Sequence, residues 1–388
     1  MIGVCIKYFH ENYGGMLQAL ATVTMLEKRG LEFELIRYEK HYSLWGKLKQ
    51  LPRLFNSILL NDKKEAFLKK MGKRKHPEFQ KEDAVRMQAF GRFREKKFKK
   101  LSPIFKGYEA LCAGAQRYSA VVTGSDQLWS PAGLPTNFYN LMFVPDEIRK
   151  VSIASSFGVK YIPWYQIGRT RRFLNRIEFI SMRENSGSEI VKELTGRNVP
   201  TILDPVFIFD EQAWAEIVAV APREIEAPYI FAYFLGANPI HRKAVKETAK
   251  KLGCKIVALR HLDQYVPIDE DFGDFAPYDV DPARFLNILR NAAYVCTDSF
   301  HGSVFSIIHH KPFVTFNRYD EQSKHSKNSR IDTLCHNLGL QDRRFDTAED
   351  LYQQLKADID YKAVDKKLSA LKCLTNGYLD KAFRGITQ

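Results

Sequence analysis

"IGVCIKYFHENYGGMLQALATVTMLEKRGLEFELIRYE", residues 2–39, holds a complete strand–helix–strand unit. The apolar run 2–9 reads as a buried strand, and "HENYGG" as a turn. "MLQALATVTMLEKR" has helical periodicity and stops at Gly30, after which "LEFELIRYE" returns as a second strand. Two strands joined by one helix pair in parallel, because only a crossover can bring the chain back in the same direction.

The pattern repeats outward from this unit. "YSAVVTG" (118–124), "KVSIASSFG" (150–158), "IEFISMRE" (177–184) and "PTILDPVFI" (200–208) read as further strands. A second series follows, with strands "YIFAYFLG" (229–236), "CKIVALRH", "AYVCTDS" and "PFVTF" (312–316) separated by helices such as "PIHRKAVKETAKKLG" and "DPARFLNILRNA". Residues 331–388 read as helices. The expected fold is therefore α/β, with two facing Rossmann-like domains and C-terminal helices. The expected bounds are 1–210 for the first domain and 229–388 for the second. Residues 211–228, with two prolines and a charge shift, form the linker. Two such domains leave a cleft outside the carboxyl ends of their strands.

The 388 residues carry a net charge of +14 and are 45% apolar, as in ordinary globular proteins. No apolar run approaches the roughly 20 residues that span a bilayer, and the N-terminus lacks the features of a signal peptide. Six scattered cysteines form no CxxC pair, so neither disulfides nor zinc are expected, and the expected compartment is the cytoplasm. Residues 61–100 hold 15 Lys+Arg against 6 Asp+Glu. With the apolar spacing of Trp45, Leu48, Leu51, Phe55, Ile58 and Leu59, they mark a basic helical insertion at about 42–110. It either packs on its own domain or lies on an anionic membrane surface through 42–100, at the inner face of the membrane. No nucleic-acid motif accompanies it.

Candidate chemistry gathers at strand ends. In "TDSFHGSVFSIIHH" (297–310), His301 stands where a strand gives way to a helix. The free N–H groups of a first helical turn favour an anion there. Ser299 supplies a hydroxyl and Gly302 a close backbone approach. His301 is suited to general acid work, its pKa lying near the working pH; the alternative is a capped turn with a satisfied histidine. His309 and His310 complement the helix C-terminus rather than bind metal. Gly14 and Gly15 open the first helix with bare backbone. Asp126 and Gln127 of "GSDQLW" either orient sugar hydroxyls or fix their own loop. Arg183 either clamps a phosphate or carboxylate or pairs with Glu184 at the surface. Lys327 and Arg330 of "HSKNSRIDTL" are further anion ligands. Together they point to chemistry on a small anion.

"NYGGMLQALATVTMLEKRG", "VVTGSDQLWSP", "ASSFG", "SMREN", "ILDPVFI", "TDSFHGSVFSIIHHKPFVTF" and "NSRIDTL" occur in an order that resembles the polysaccharide pyruvyltransferase family, from near residue 3 to about 340. The family is similar in architecture to GT-B-type glycosyltransferases. The resemblance implies an enzyme that moves enolpyruvyl from phosphoenolpyruvate onto two hydroxyls of a galactose- or mannosamine-type sugar. The acceptor would be a capsule or exopolysaccharide precursor, polyprenyl-diphosphate-linked in some family members. A pyruvate ketal forms, phosphate leaves, and no metal or organic cofactor is needed. It also implies that His301 is the acid, that Arg183, then Arg330, clamp the donor with Ser299, Gly302 and Lys327, and that Asn12, Tyr13, Gly14, Gln18, Asp126, Gln127 and Glu184 line the acceptor side of the cleft. Tyr118-Ser119 departs from the family's usual Tyr-Asp, which removes any fixed acidic role there. Two rival readings stay open: a nucleotide-sugar glycosyltransferase on the same architecture, and a non-catalytic glycan-binding protein.

Overall fold

The unit read from residues 2–39 is present in the computed structural model as strand β1 (Ile2–Cys5), helix α1 (Tyr13–Lys28) and strand β2 (Phe33–Glu39). The structure describes residues 1–41, 60, 64, 67, 71–72, 74–131, 133, 136–219, 221–261, 264–318, 328–345 and 350–386. All six of the apolar positions read in the basic segment, Trp45 to Leu59, lie outside the described residues, as does Lys327.

β1 is buried at every position, and Ile2 pairs in parallel with Phe33 of β2 and with Ala120 of β4 (Ala120–Thr123). A strand buried on both faces keeps a continuous apolar run, which is why this one was readable. β3 (Leu101–Lys106) and β5 (Arg149–Ser152) complete a parallel sheet in the order β3-β2-β1-β4-β5. β6 (Tyr229–Tyr233), β7 (Lys255–Leu259), β8 (Tyr294–Thr297) and β9 (Phe313–Thr315) form a second parallel sheet in the order β7-β6-β8-β9. Each sheet starts at its middle, grows to one side, then reverses. The reversals fall between β1 and β4 and between β6 and β8. Two parallel sheets flanked by helices agree with the expected fold class.

Four expectations need correction. The insertion is not helical throughout, since after helix α2 (Pro77–Lys97) the chain forms β3, whose Pro103 is tolerated because the strand lies at the sheet edge. Residues 177–184 and 200–208 are not strands. They extend the sheet only through single bridges, Val151 to Phe179, Ser155 to Met182 and Met182 to Thr201. Pro205 then opens a 3₁₀ turn over Pro205–Ile208. Within the expected linker, Asp210 caps helix Glu211–Val218, whose Trp214 is fully buried against Phe305. Lastly, the terminal helix Tyr361–Phe383 returns to the first lobe, where Tyr378 donates to the Ser152 carbonyl at 2.6 Å.

The lobes share one core. Tyr13 of α1 is fully buried, stacks on Phe285 at 4.8 Å, meets Phe90 of α2 and Tyr233 of β6, and donates to the Val280 carbonyl. Among the described residues no helix is long and apolar enough to cross a membrane.

Candidate active site

Both chain reversals deliver their loops to one place. The loop after β1 leads into α1, capped by Asn12, whose Oδ1 accepts from the Gly15 N–H at 2.9 Å. The loop after β8 leads into helix Phe300–Ile308, capped by Ser299, whose Oγ accepts from the Gly302 N–H at 3.3 Å. The two helix starts, one from each lobe, touch: a Cβ on Gly14 would stand 2.3 Å from His301 Nδ1. His301 therefore lies between the lobes, buried but beside polar groups, with its positive helix end aimed at the same spot as that of α1.

Asp204 Oδ2 is the hub of the site. It accepts from Ser125 Oγ at 2.7 Å and from Arg183 Nη1 at 2.9 Å, and it stands 3.6 Å from His301 Nε2. Burial would raise the Asp204 pKa, but His301, Arg183 and Ser125 outweigh it and hold the carboxyl well below the usual range. Asp204 thus stays ionised beside the imidazole.

Arg183 is buried among three carboxylates. Besides Asp204, Asp126 Oδ1 lies 3.8 Å from its Nη2 and Glu184 Oε2 lies 4.0 Å from its Nε. These raise its pKa against the opposing pull of burial, yet Nε and Nη2 have no hydrogen-bond partner. The Arg183 Cζ sits 4.7 Å over the Phe300 ring, and that of Arg330 lies 5.8 Å from the same ring. Gln127, with its amide oxygen turned inward, accepts from Arg330 Nη2 at 2.8 Å and from Nε at 3.3 Å. Burial, and then Arg183, lower the Arg330 pKa to about 10. An arginine pushed down in this way has too little negative charge around it, a condition an anionic ligand relieves.

Asp126 takes a left-handed backbone, φ 80°, as does Ala154, φ 47°, at the end of the neighbouring strand. Such strain concentrates at functional sites. Burial opposes ionisation of Asp126, but Lys7, Arg183, His301 and Arg330 lower its pKa to about 2. The motifs "ASSFG" and "SMREN" are held together by serine hydrogen bonds. Ser181 Oγ donates to the Ser152 carbonyl at 2.8 Å and accepts from the Ala154 N–H at 3.0 Å. Ser156 Oγ donates to Glu184 Oε1 at 2.8 Å. They add to the backbone bonds of the isolated bridges, such as Ser152 N–H to the Phe179 carbonyl at 2.8 Å and Arg183 N–H to the Ser155 carbonyl at 3.1 Å, which hold 177–184 along the sheet edge.

The structure brings His301, Arg183, Arg330, Asp126, Gln127, Glu184 and Gly14 together. Other expected ligands are occupied elsewhere. Gly302 packs on β8, where a Cβ would stand 2.5 Å from Thr297 Oγ1, and its N–H is taken by Ser299 Oγ, so Gly302 has no backbone donor left for a ligand and Ser299 Oγ serves as the helix cap. Asn12 is a helix cap and Tyr13 a core residue. Gln18 is buried beside Gly124, its Nε2 donating to Thr22 Oγ1 at 2.8 Å while Oε1 has no partner. Asp204, Ser125 and Phe300 were missed. The signal for Asp204 was its Asp-Pro dipeptide, which ends a strand reading and begins a turn.

A two-lobed α/β protein with a buried histidine at a chain reversal and arginines gathered beside it is the class defined so far. The sequence model of the family described as polysaccharide pyruvyl transferase matches residues 12–320. The chain belongs to that family, whose reaction class is pyruvyl transfer to polysaccharide. No curated protein matches it. Among solved structures it is similar to the UDP-GlcNAc 2-epimerase of Neisseria meningitidis bound to UDP-GlcNAc, at 10% identity and TM-score 0.47 over 98% of this chain and 99% of that one. It is also similar to the UDP-GlcNAc 2-epimerase of Methanocaldococcus jannaschii, at 11% identity and TM-score 0.49 over 95% and 92%. The glycosyltransferase SnogD from Streptomyces nogalater matches at 11% identity and TM-score 0.46 over 99% and 98%.

Proposed function

We propose that this protein transfers the enolpyruvyl group of phosphoenolpyruvate to two hydroxyls of a galactose- or mannosamine-type sugar in a capsule or exopolysaccharide precursor, forming a pyruvate ketal and releasing phosphate. One observation carries the reading. Buried donors that make no hydrogen bond, Arg183 Nε and Nη2 and His301 Nε2, with their nearest carboxylates 3.6 to 4.0 Å away, surround the point where the lobes meet. Buried donors left unpaired cost free energy, so a ligand rich in acceptors fits them.

The chemistry follows from the donor. His301, as imidazolium, gives a proton to the methylene carbon of phosphoenolpyruvate, leaving a cationic centre at the carbon that bears the phosphate. One sugar hydroxyl adds there and its proton restores the His301 imidazolium. The phosphate then departs with its C–O electron pair, and the second hydroxyl closes the ketal and gives its proton to the released phosphate. Asp204, at 3.6 Å, stabilises the charged ring. Arg183 and Arg330 bind the donor's carboxylate and phosphate, and Asp126, ionised at neutral pH, orients the acceptor hydroxyls.

The test is incubation with phosphoenolpyruvate and a panel of lipid-linked and synthetic glycosides, following phosphate release and the mass gained by the sugar. His301→Ala is expected to keep donor affinity by calorimetry while turnover falls about 10²–10⁴-fold. A variant of near-normal rate would remove the histidine from the mechanism.

A further inference from the structure

Residues 158–176, "GVKYIPWYQIGRTRRFLNR", contain five basic and no acidic residues. Trp164 is 82% exposed, with Tyr161 at 44% and Tyr165 at 42%. We propose that this aromatic loop and the exposed basic face of the helix after it, α3 (Ile167–Arg176), dock on an anionic membrane surface. This stretch is distinct in sequence from the basic segment 42–100, and the inference is independent of the reaction proposed above.

The loop is built to keep its rings outward. Ile162 is buried, and Gln166 Nε2 donates to the Pro131 carbonyl at 3.0 Å. Thr170, Phe173 and Leu174 of the helix are also buried, Phe173 lying 5.2 Å from the ring of Trp129. The anchored positions alternate with the exposed ones, so Trp164 cannot turn into the core without breaking them. Trp164 and Tyr165 brace each other edge to face at 5.8 Å. Large apolar rings with a polar tip settle at the boundary between lipid headgroups and acyl chains.

The charge complements such a surface. Arg176 is held by Asp146 at 2.7 Å, and Arg171 Nε donates to the Leu194 carbonyl at 2.9 Å. Lys160, Arg169 and Arg172 are exposed, and no ion pair is formed by them among the described residues. A glycan-stacking platform would set free hydroxyl-binding carboxylates beside the rings, whereas the exposed charges within 158–176 are all cations and the neighbouring Asp146 is engaged by Arg176. Cations beside aromatic anchors match acidic phospholipids. The loop is also tied to the site, because Gly158 packs on the Gln127 side chain and Trp129 belongs to the same loop as Asp126.

The test uses the full chain carrying Trp45→Phe, so that emission comes from Trp129, Trp164 and Trp214, the first and last of which are fully buried. Vesicles of equal parts phosphatidylcholine and phosphatidylglycerol are expected to shift the emission to the blue and protect it from acrylamide, while pure phosphatidylcholine does neither. Trp164→Ala and the double variant Arg169→Glu, Arg172→Glu, each checked for an unchanged circular dichroism spectrum and Tm, are expected to lose about tenfold in vesicle affinity. Three outcomes would overturn the proposal: an unshifted spectrum with anionic vesicles, parent-like sedimentation of both variants, or the same blue shift produced by a soluble glycan without lipid.

Discussion

At Gly14 the whole site depends on one missing atom. A Cβ there would meet His301 at Nδ1, Cγ and Cβ, all within 2.5 Å, and the ring has Asp204 on its other side. Gly14→Ala is therefore expected to displace the imidazole by a fraction of an ångström to an ångström. Steady-state kinetics should show kcat down about 10²-fold with donor affinity nearly kept, and a parent-like kcat would contradict the packing described. Asp204 illustrates the limit of reading residues singly. Its sequence surroundings suggest a strand end, but only the fold places Ser125, Arg183 and His301 around one of its oxygens.

Elements were legible where burial is two-sided. β1, β4, β6 and β8 stand at or beside the middles of their sheets, and their unbroken apolar runs were found. β3 and the 177–184 segment lie at edges, where Pro103 or serine side chains interrupt the pattern. Helix α4 (Asn185–Thr195) follows directly from that edge, and helix α5 (Pro239–Leu252) covers the second sheet. In α5, burial lowers the His241 pKa to about 4, its ring lying 4.8 Å from Phe316. The unfolded chain holds that proton up to a pKa of about 6.5. Below this value the unfolded state binds more protons, so stability is full above about pH 6.5 and declines as pH falls toward 4. Denaturant unfolding at pH 7 and pH 4.5 should show the decline, and His241→Gln should flatten it in that window. An unchanged slope would mean the ring is not buried neutral.

For the whole molecule, coupling of the lobes is the decisive property. Tyr13 joins α1 to Phe285 and Tyr233 of the second lobe, and Arg86 of α2, fully buried, donates to the Arg260 carbonyl at 3.0 Å. Tyr13→Ala is expected to cost about 3–5 kcal/mol and to split an unfolding transition that in the parent should be common to both sheets by hydrogen exchange. Coincident exchange in the variant would show that the lobes are coupled elsewhere. Taken alone, the sequence determined the alternation of strands and helices, the parallel pairing it forces, and the strand ends at which His301, Arg183 and Asp126 would stand. It did so because periodicity and capping are local properties of the chain. Only the tertiary structure decided which of those ends meet, and that Asp204 serves two lobes at once. Such contacts join residues far apart in the chain, and nothing in local spacing encodes them.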